Sequence, residues 1–207
     1  MPMYLSDANE RDLLLIIDVQ NDFCSGGALA VPDGEAVIAP INRLCERFAH
    51  VVLTQDWHPA NHHSFASSHA GRSPFEQIEA PYGLQTLWPD HCVQGSVGAE
   101  LHPQLRATHA ELLLRKGYRA AIDSYSAFYE NDRATPTGLS GYLRERGFER
   151  LFLCGLALDY CVLYSALDAR REGFAVTVLK DACRGLDVQG SVAAALTQMA
   201  AAGVELR

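Results

Sequence analysis

The stretch LLLIIDVQNDF at residues 13–23 decides the fold. Side chains alternate from face to face along a strand, so five aliphatic residues in a row, Leu13 to Ile17, require burial on both faces. Strands of that kind belong to parallel sheets covered by helices on both sides. The run stops at Asp18, and two other apolar runs stop in the same way: ELLLR at 111–115 is followed by Lys116, and LFLCGLALDY at 151–160 leads into Cys161. Carboxyl ends of parallel strands line up along one edge of the sheet, and ligands bind there. An acid, a cation and a thiol from distant parts of the chain are thus expected in one crevice.

Working outward, short aliphatic runs predict strands at 13–17, 51–54, 112–114, 151–154, 174–179 and 204–206. Helical periodicity predicts helices at 35–48, 139–146, 160–172 and 192–201. Thr137 is the expected cap of the second helix, Ser191 precedes the fourth, and Gly147, Gly173 and Gly203 follow the last three. The alternation predicts an α/β domain spanning 1–207 with a parallel sheet between helical layers. Residues 56–110 depart from it, being rich in Pro, Gly, His and Ser with little periodicity. A loop that long in a compact domain is usually functional.

Composition narrows the class. The 207 residues carry a formal net charge of −8 and are 48% hydrophobic, which suits a packed core and disfavours nucleic acid or anionic membrane as partners. MPMYLSDANERD at 1–12 lacks the pattern of a signal peptide, and no apolar run nears the roughly 20 residues of a membrane span, so a cytoplasmic location is expected. The cysteines at 24, 45, 92, 154, 161 and 183 contain no C-x-x-C pair and read mostly as small buried hydrophobes. Homo-oligomerisation is open at this level.

Cys161 stands at the first turn of its predicted helix. Amides and the dipole of a helix N-terminus stabilise a thiolate, and they can also hold an oxyanion. Alone, each of Asp18, Lys116 and Cys161 has an ordinary structural explanation; together at equivalent strand ends they suggest covalent hydrolysis. Cys161 would attack a carbonyl carbon, Asp18 would carry the proton, and Lys116 would favour the ionised forms. No histidine is placed like the base of a papain-type pair. In TQDWHP at 54–59, Asp56 and His58 share one side of an extended chain; with His91 of WPDHC they make one carboxylate and two imidazoles. Such a set suits Zn²⁺ or non-haem Fe²⁺, with Mn²⁺ as a third candidate. His62 and His63 read better as solvated loop residues, and Cys92 is expected to point away from the ion. Phe23, Trp88 and Tyr125 flank these motifs and could wall a pocket for a flat ring.

IIDVQNDF, TQDWHP, WPDHCVQGS, the stretch from Lys116–Gly117 to SYSAF, and CGLALDYCV occur in one order across nearly the whole chain. In this the chain resembles the nicotinamidases of the isochorismatase-like cysteine hydrolase superfamily. The resemblance implies a three-layer α-β-α fold with a six-stranded parallel sheet and a catalytic triad of Asp18, Lys116 and Cys161. It also implies a divalent metal on Asp56, His58 and His91 that binds the pyridine nitrogen of the substrate nicotinamide. Phe23 and Trp88 would sandwich the ring. A cis bond at Leu156–Ala157 would turn the amides of Ala157 and Cys161 toward an oxyanion. His62 is the nearest match to an additional metal-shell residue of some relatives. The expected reaction is hydrolysis of nicotinamide, and of pyrazinamide, to acid and ammonia through a thioester, as a step of NAD salvage. The alternatives are an amidase of the same superfamily acting on carbamoyl or ureido compounds, and a non-catalytic binding module on the same fold.

Overall fold

The computed structural model describes residues 8–207, so most of the N-terminal dozen read above for a targeting signal lies outside the described residues. Eight strands and four α-helices follow one another as β1 (Asp12–Ile17), α1 (Ile38–Cys45), β2 (Val51–Asp56), β3 (Gln77–Ala80), β4 (Gly83–Thr86), β5 (Leu112–Lys116), α2 (Leu139–Glu145), β6 (Arg150–Gly155), α3 (Leu163–Arg171), β7 (Ala175–Cys183), α4 (Ser191–Ala201) and β8 (Glu205–Leu206). Six of the strands form one parallel sheet in the order β5-β2-β1-β6-β7-β8. Every residue of β1 and β2 is buried, as the unbroken aliphatic runs require. Among the described residues no helix is long and apolar enough to cross a membrane.

The strand order explains where a site can form. From β1 the chain builds outward through β2 to β5, then crosses back to β6 on the other flank of β1 and builds outward again. The connections therefore diverge between β1 and β6, and a crevice opens at the carboxyl ends of the strands. Asp18 follows β1 directly and Cys161 follows β6 by a short link, so they face each other across that crevice. Asp18 takes φ +47°, which turns the chain sharply off the strand line.

Differences from the sequence reading lie mostly at element ends. Strands β2 and β5 run on to Asp56 and Lys116 in mutual register, because each continues to pair with the other past its aliphatic core. The helix predicted at 35–48 opens with a 3₁₀ turn, Gly34–Val37, before α1 begins. Gly138, at φ +100°, occupies the cap position of α2, while Thr137 Oγ1 still accepts from the Leu139 amide at 3.3 Å. The helix predicted at 160–172 begins as a wide π-turn, Leu158–Val162, and only then becomes α3. Within 56–110 the chain forms the antiparallel hairpin β3–β4, which the aperiodic sequence concealed.

Gly155 closes the crevice. It has φ +115°, and a Cβ placed there would lie 2.1 Å from the Ile17 carbonyl oxygen. We expect Gly155→Ala to lower unfolding stability by at least about 2 kcal/mol in chemical denaturation, combining backbone strain with overlap against β1. Stability unchanged within about 0.5 kcal/mol would refute the close approach of the two strands.

Candidate active site and metal centre

Lys116 is the hub of the site. Its side chain is fully buried, and its ammonium lies 2.8 Å from Asp18 Oδ2, 2.5 Å from Asp56 Oδ1, 3.0 Å from the Ser124 carbonyl and 3.5 Å from Cys161 Sγ. The register of β2 with β5 puts Lys116 beside Asp56, and its long side chain then spans β2 to reach the end of β1. Cys161 Sγ lies within 4.8 Å of carboxylate oxygens of both Asp18 and Asp56. The three reactive residues read from the strand ends are therefore brought together.

The two carboxylates differ in environment. Asp18 Oδ1 accepts from Thr54 Oγ1 at 2.6 Å, whereas Oδ2 has the Lys116 ion pair but no well-angled hydrogen-bond donor among the described residues. Burial, helped by the negative charge of Asp56, raises the proton affinity of Asp18 against the pull of Lys116. Burial would do the same to Asp56, but the Lys116 ammonium and the imidazoles of His58 and His91 overcome it and hold Asp56 well below the usual carboxylate range. One acid is thus committed to charge, and the other is suited to carry a proton. Burial also pushes the Cys161 thiol well up, with Lys116 opposing. That direction runs against the thiolate expected from a helix N-terminus, because the thiol lies in a desolvated π-turn between two carboxylates, which favour the proton.

Asp56, His58 and His91 are all buried and converge beside the thiol. His58 Nε2 and His91 Nε2 lie 3.6 and 3.9 Å from Asp56 Oδ2. Each ring has its other nitrogen bonded to a carbonyl: His58 Nδ1 lies 2.8 Å from Gly117 O, and His91 Nδ1 lies 2.8 Å from Pro89 O. Carbonyls only accept, so both Nδ1 atoms are donors and both Nε2 atoms are turned toward Asp56. A tetrahedral ion about 2.1 Å from such ligands would hold them roughly 3.4 Å apart, close to the spacing found. The donor set fits a divalent cation. Gly117 makes room for the His58 ring, since a Cβ there would fall 2.4 Å from it.

Local pairing brings these ligands together from far apart in the chain. His58 bridges to Val93, with the His58 amide bonded to the Cys92 carbonyl, which draws His91 alongside. Phe65 bridges to Trp88 in the same manner. His62 corrects the sequence reading: it is buried rather than solvated, its ring centroid 4.3 Å from that of His58, and its Nδ1 is 2.7 Å from Ser64 Oγ. His63, by contrast, is half-buried. Cys92 is buried and joins no group of metal-capable side chains among the described residues.

A pocket beside the thiol is lined by Phe23, Trp88, Tyr125, His91, Asp56, Ala157 and Cys161. The Leu156–Ala157 peptide is cis, and among the described residues the Ala157 amide donates to no protein acceptor. Asp123, Tyr160, Leu29 and Leu186 also line the pocket and were missed in the sequence. Tyr160 could have been found from its place beside the thiol. Leu186 and Asp123 sit in irregular segments that carry no periodic signal.

Comparison with known proteins agrees with this architecture. The profile of the isochorismatase domain matches residues 12–207. The chain is 51% identical to a nicotinamidase of Acinetobacter baylyi over 93% of this chain and 90% of that one. The structure of an Acinetobacter baumanii nicotinamidase/pyrazinamidase superposes with a TM-score of 0.95 at 50% identity, covering 97% of each chain. That of a Pyrococcus horikoshii pyrazinamidase in complex with zinc superposes with a TM-score of 0.77 at 34% identity, covering 95% of this chain and 98% of that one. On sequence and fold together, the chain belongs to the isochorismatase domain family.

Proposed function

We propose that this chain, one hydrolase domain from end to end, is a nicotinamidase: it hydrolyses nicotinamide, and also pyrazinamide, to the acid and ammonia in NAD salvage. The observation that carries the reading is the buried cluster of Asp18, Lys116 and Cys161 directly beside a two-histidine, one-carboxylate site. The names of relatives at 51% and 46% identity support the substrate. Pocket walls of Phe23, Trp88 and Tyr125 favour a planar ring over the flexible carbamoyl and ureido compounds of other amidases.

The steps follow from the geometry. Asp18 removes the proton from the Cys161 thiol as Sγ attacks the carboxamide carbon, so charge develops on the substrate oxygen only as the S–C bond forms. The amides of Ala157 and Cys161 face that oxygen. Asp18 then returns the proton to the amide nitrogen, ammonia departs, and a thioester remains. Asp18 next takes a proton from water, whose oxygen attacks the thioester, and the acid leaves as the thiol is restored. Lys116 stays charged throughout and balances the carboxylates. Asp56, His58 and His91 would hold a divalent ion, Zn²⁺ or Fe²⁺, which when bound supplies a Lewis acid for the ring nitrogen and so orients the carboxamide toward the thiol.

Three measurements test this. Cys161→Ala should cut ammonia release from nicotinamide by more than about 10³-fold while nicotinate still binds; undiminished turnover would overturn the nucleophile assignment. Dialysis against a chelator should remove about one equivalent of divalent metal along with the activity, and readdition should restore both. Gly117→Ala, which presses on His58, should lower the retained metal in elemental analysis. Full activity in metal-free protein would refute the metal assignment.

A further inference from the structure

The hairpin β3–β4 is exposed or half-exposed along its length, except at Gln85, which is completely buried. A polar side chain at the one enclosed position is costly unless it is fully bonded. Gln85 is fully bonded. Its Nε2 lies 2.7 Å from the Thr86 carbonyl, 3.0 Å from the Tyr125 hydroxyl and 3.1 Å from Asp123 Oδ2, so its two hydrogens are shared among three acceptors. Its Oε1 accepts from Tyr82 at 3.1 Å and from Asn131 Nδ2 at 3.2 Å. A carbonyl and a carboxylate only accept, so the amide nitrogen must face them, and the orientation of the group is set by chemistry.

Two of these partners, Tyr125 and Asp123, line the pocket that holds the thiol. The Tyr125 oxygen receives a second N–H from Trp88 Nε1 at 3.1 Å, and an indole N–H is a donor only. Two donors on one phenol oxygen fix the ring from both sides, so swinging Tyr125 would break both bonds. Asn131 reinforces this by accepting from the Tyr125 amide at 3.0 Å while donating to Gln85. Asp123 is held at its other oxygen by the Ser124 amide at 2.8 Å.

We infer that Gln85 is a positioning residue for substrate: from outside the sheet it holds the Tyr125 hydroxyl and the Asp123 carboxylate in place, and so sets the affinity of the pocket for a planar carboxamide or its acid. This rests on the amidase reading above. Among the described residues Gln85 makes no hydrogen bond to the thiol or to Asp56, His58 or His91, so its effect belongs mainly on KM rather than on kcat.

The test uses Gln85→Met, Tyr125→Phe and the double variant, with KM and kcat for nicotinamide and with nicotinate Kd read from quenching of tryptophan fluorescence. Gln85→Met should raise KM and Kd by about five- to tenfold with kcat within about twofold of wild type. In the Tyr125→Phe background it should add clearly less, about two- to threefold, because the hydroxyl is gone and only the hold on Asp123 remains. Equal losses in both backgrounds, or a lowered Tm with KM and Kd unchanged, would overturn the inference. Should Gln85→Met fail to fold, Tyr125→Phe decides alone: Kd raised at least about threefold supports the inference and an unchanged Kd sinks it. Wild-type protein that binds nicotinate but releases no ammonia would refute the amidase reading only, leaving this one to be judged on Kd.

Discussion

A buried ammonium holds this site together. Lys116 has no solvent to share its charge with, and burying it alone would cost several kcal/mol. It is stable there because the ends of β1 and β2 and a carbonyl at Ser124 present two carboxylates and an acceptor within 3.0 Å. Removing either carboxylate would leave an uncompensated charge in the core, so the constraint is mutual: the strands must end in line for the cation to be tolerated. Shape and chemistry are therefore not separable along this edge of the sheet.

The same cation divides the work of the two aspartates. Asp56 turns one oxygen to Lys116 and the other to the two imidazoles, and remains ionised. Asp18 shares the cation but sits deeper among apolar neighbours, with the charge of Asp56 close by, and its affinity for a proton rises. Burial acts on the Cys161 thiol in the same direction, so both groups favour the proton. Around the metal-capable half, Gly117 O and Pro89 O select the imidazole tautomers. The ligand geometry thus follows from backbone as much as from side chains.

Much of the fold was legible because its cause is local. Leu13 to Ile17 can be buried on both faces only as an inner strand, and the recurrence of such runs with intervening amphipathic stretches implies a parallel, helix-covered sheet. Asp18, Lys116 and Cys161 could be singled out for the same reason, each standing at or just past the end of an apolar run. Residues 56–110 were opaque. The β3–β4 strands are only four residues each, and the bridges of His58 with Val93 and of Phe65 with Trp88 pair residues far apart in the chain, so no sustained periodic run marks them. His62 was misread for that reason, since only packing against His58 shows it to be buried.

Order of residues along the chain therefore determined the sheet, the edge on which chemistry would gather, and the reactive groups that reach it. The hydrophobic period of a strand is written in neighbouring residues and needs no distant partner to be read. Tertiary structure alone decided which oxygen of Asp56 faces the imidazoles, that Cys161 sits in a π-turn between two carboxylates, and that Gln85 anchors the pocket wall. Those outcomes depend on desolvation and on hydrogen bonds between segments far apart in the chain, such as that from Lys116 to Asp56 across 60 residues, and these quantities exist only once the chain has closed on itself.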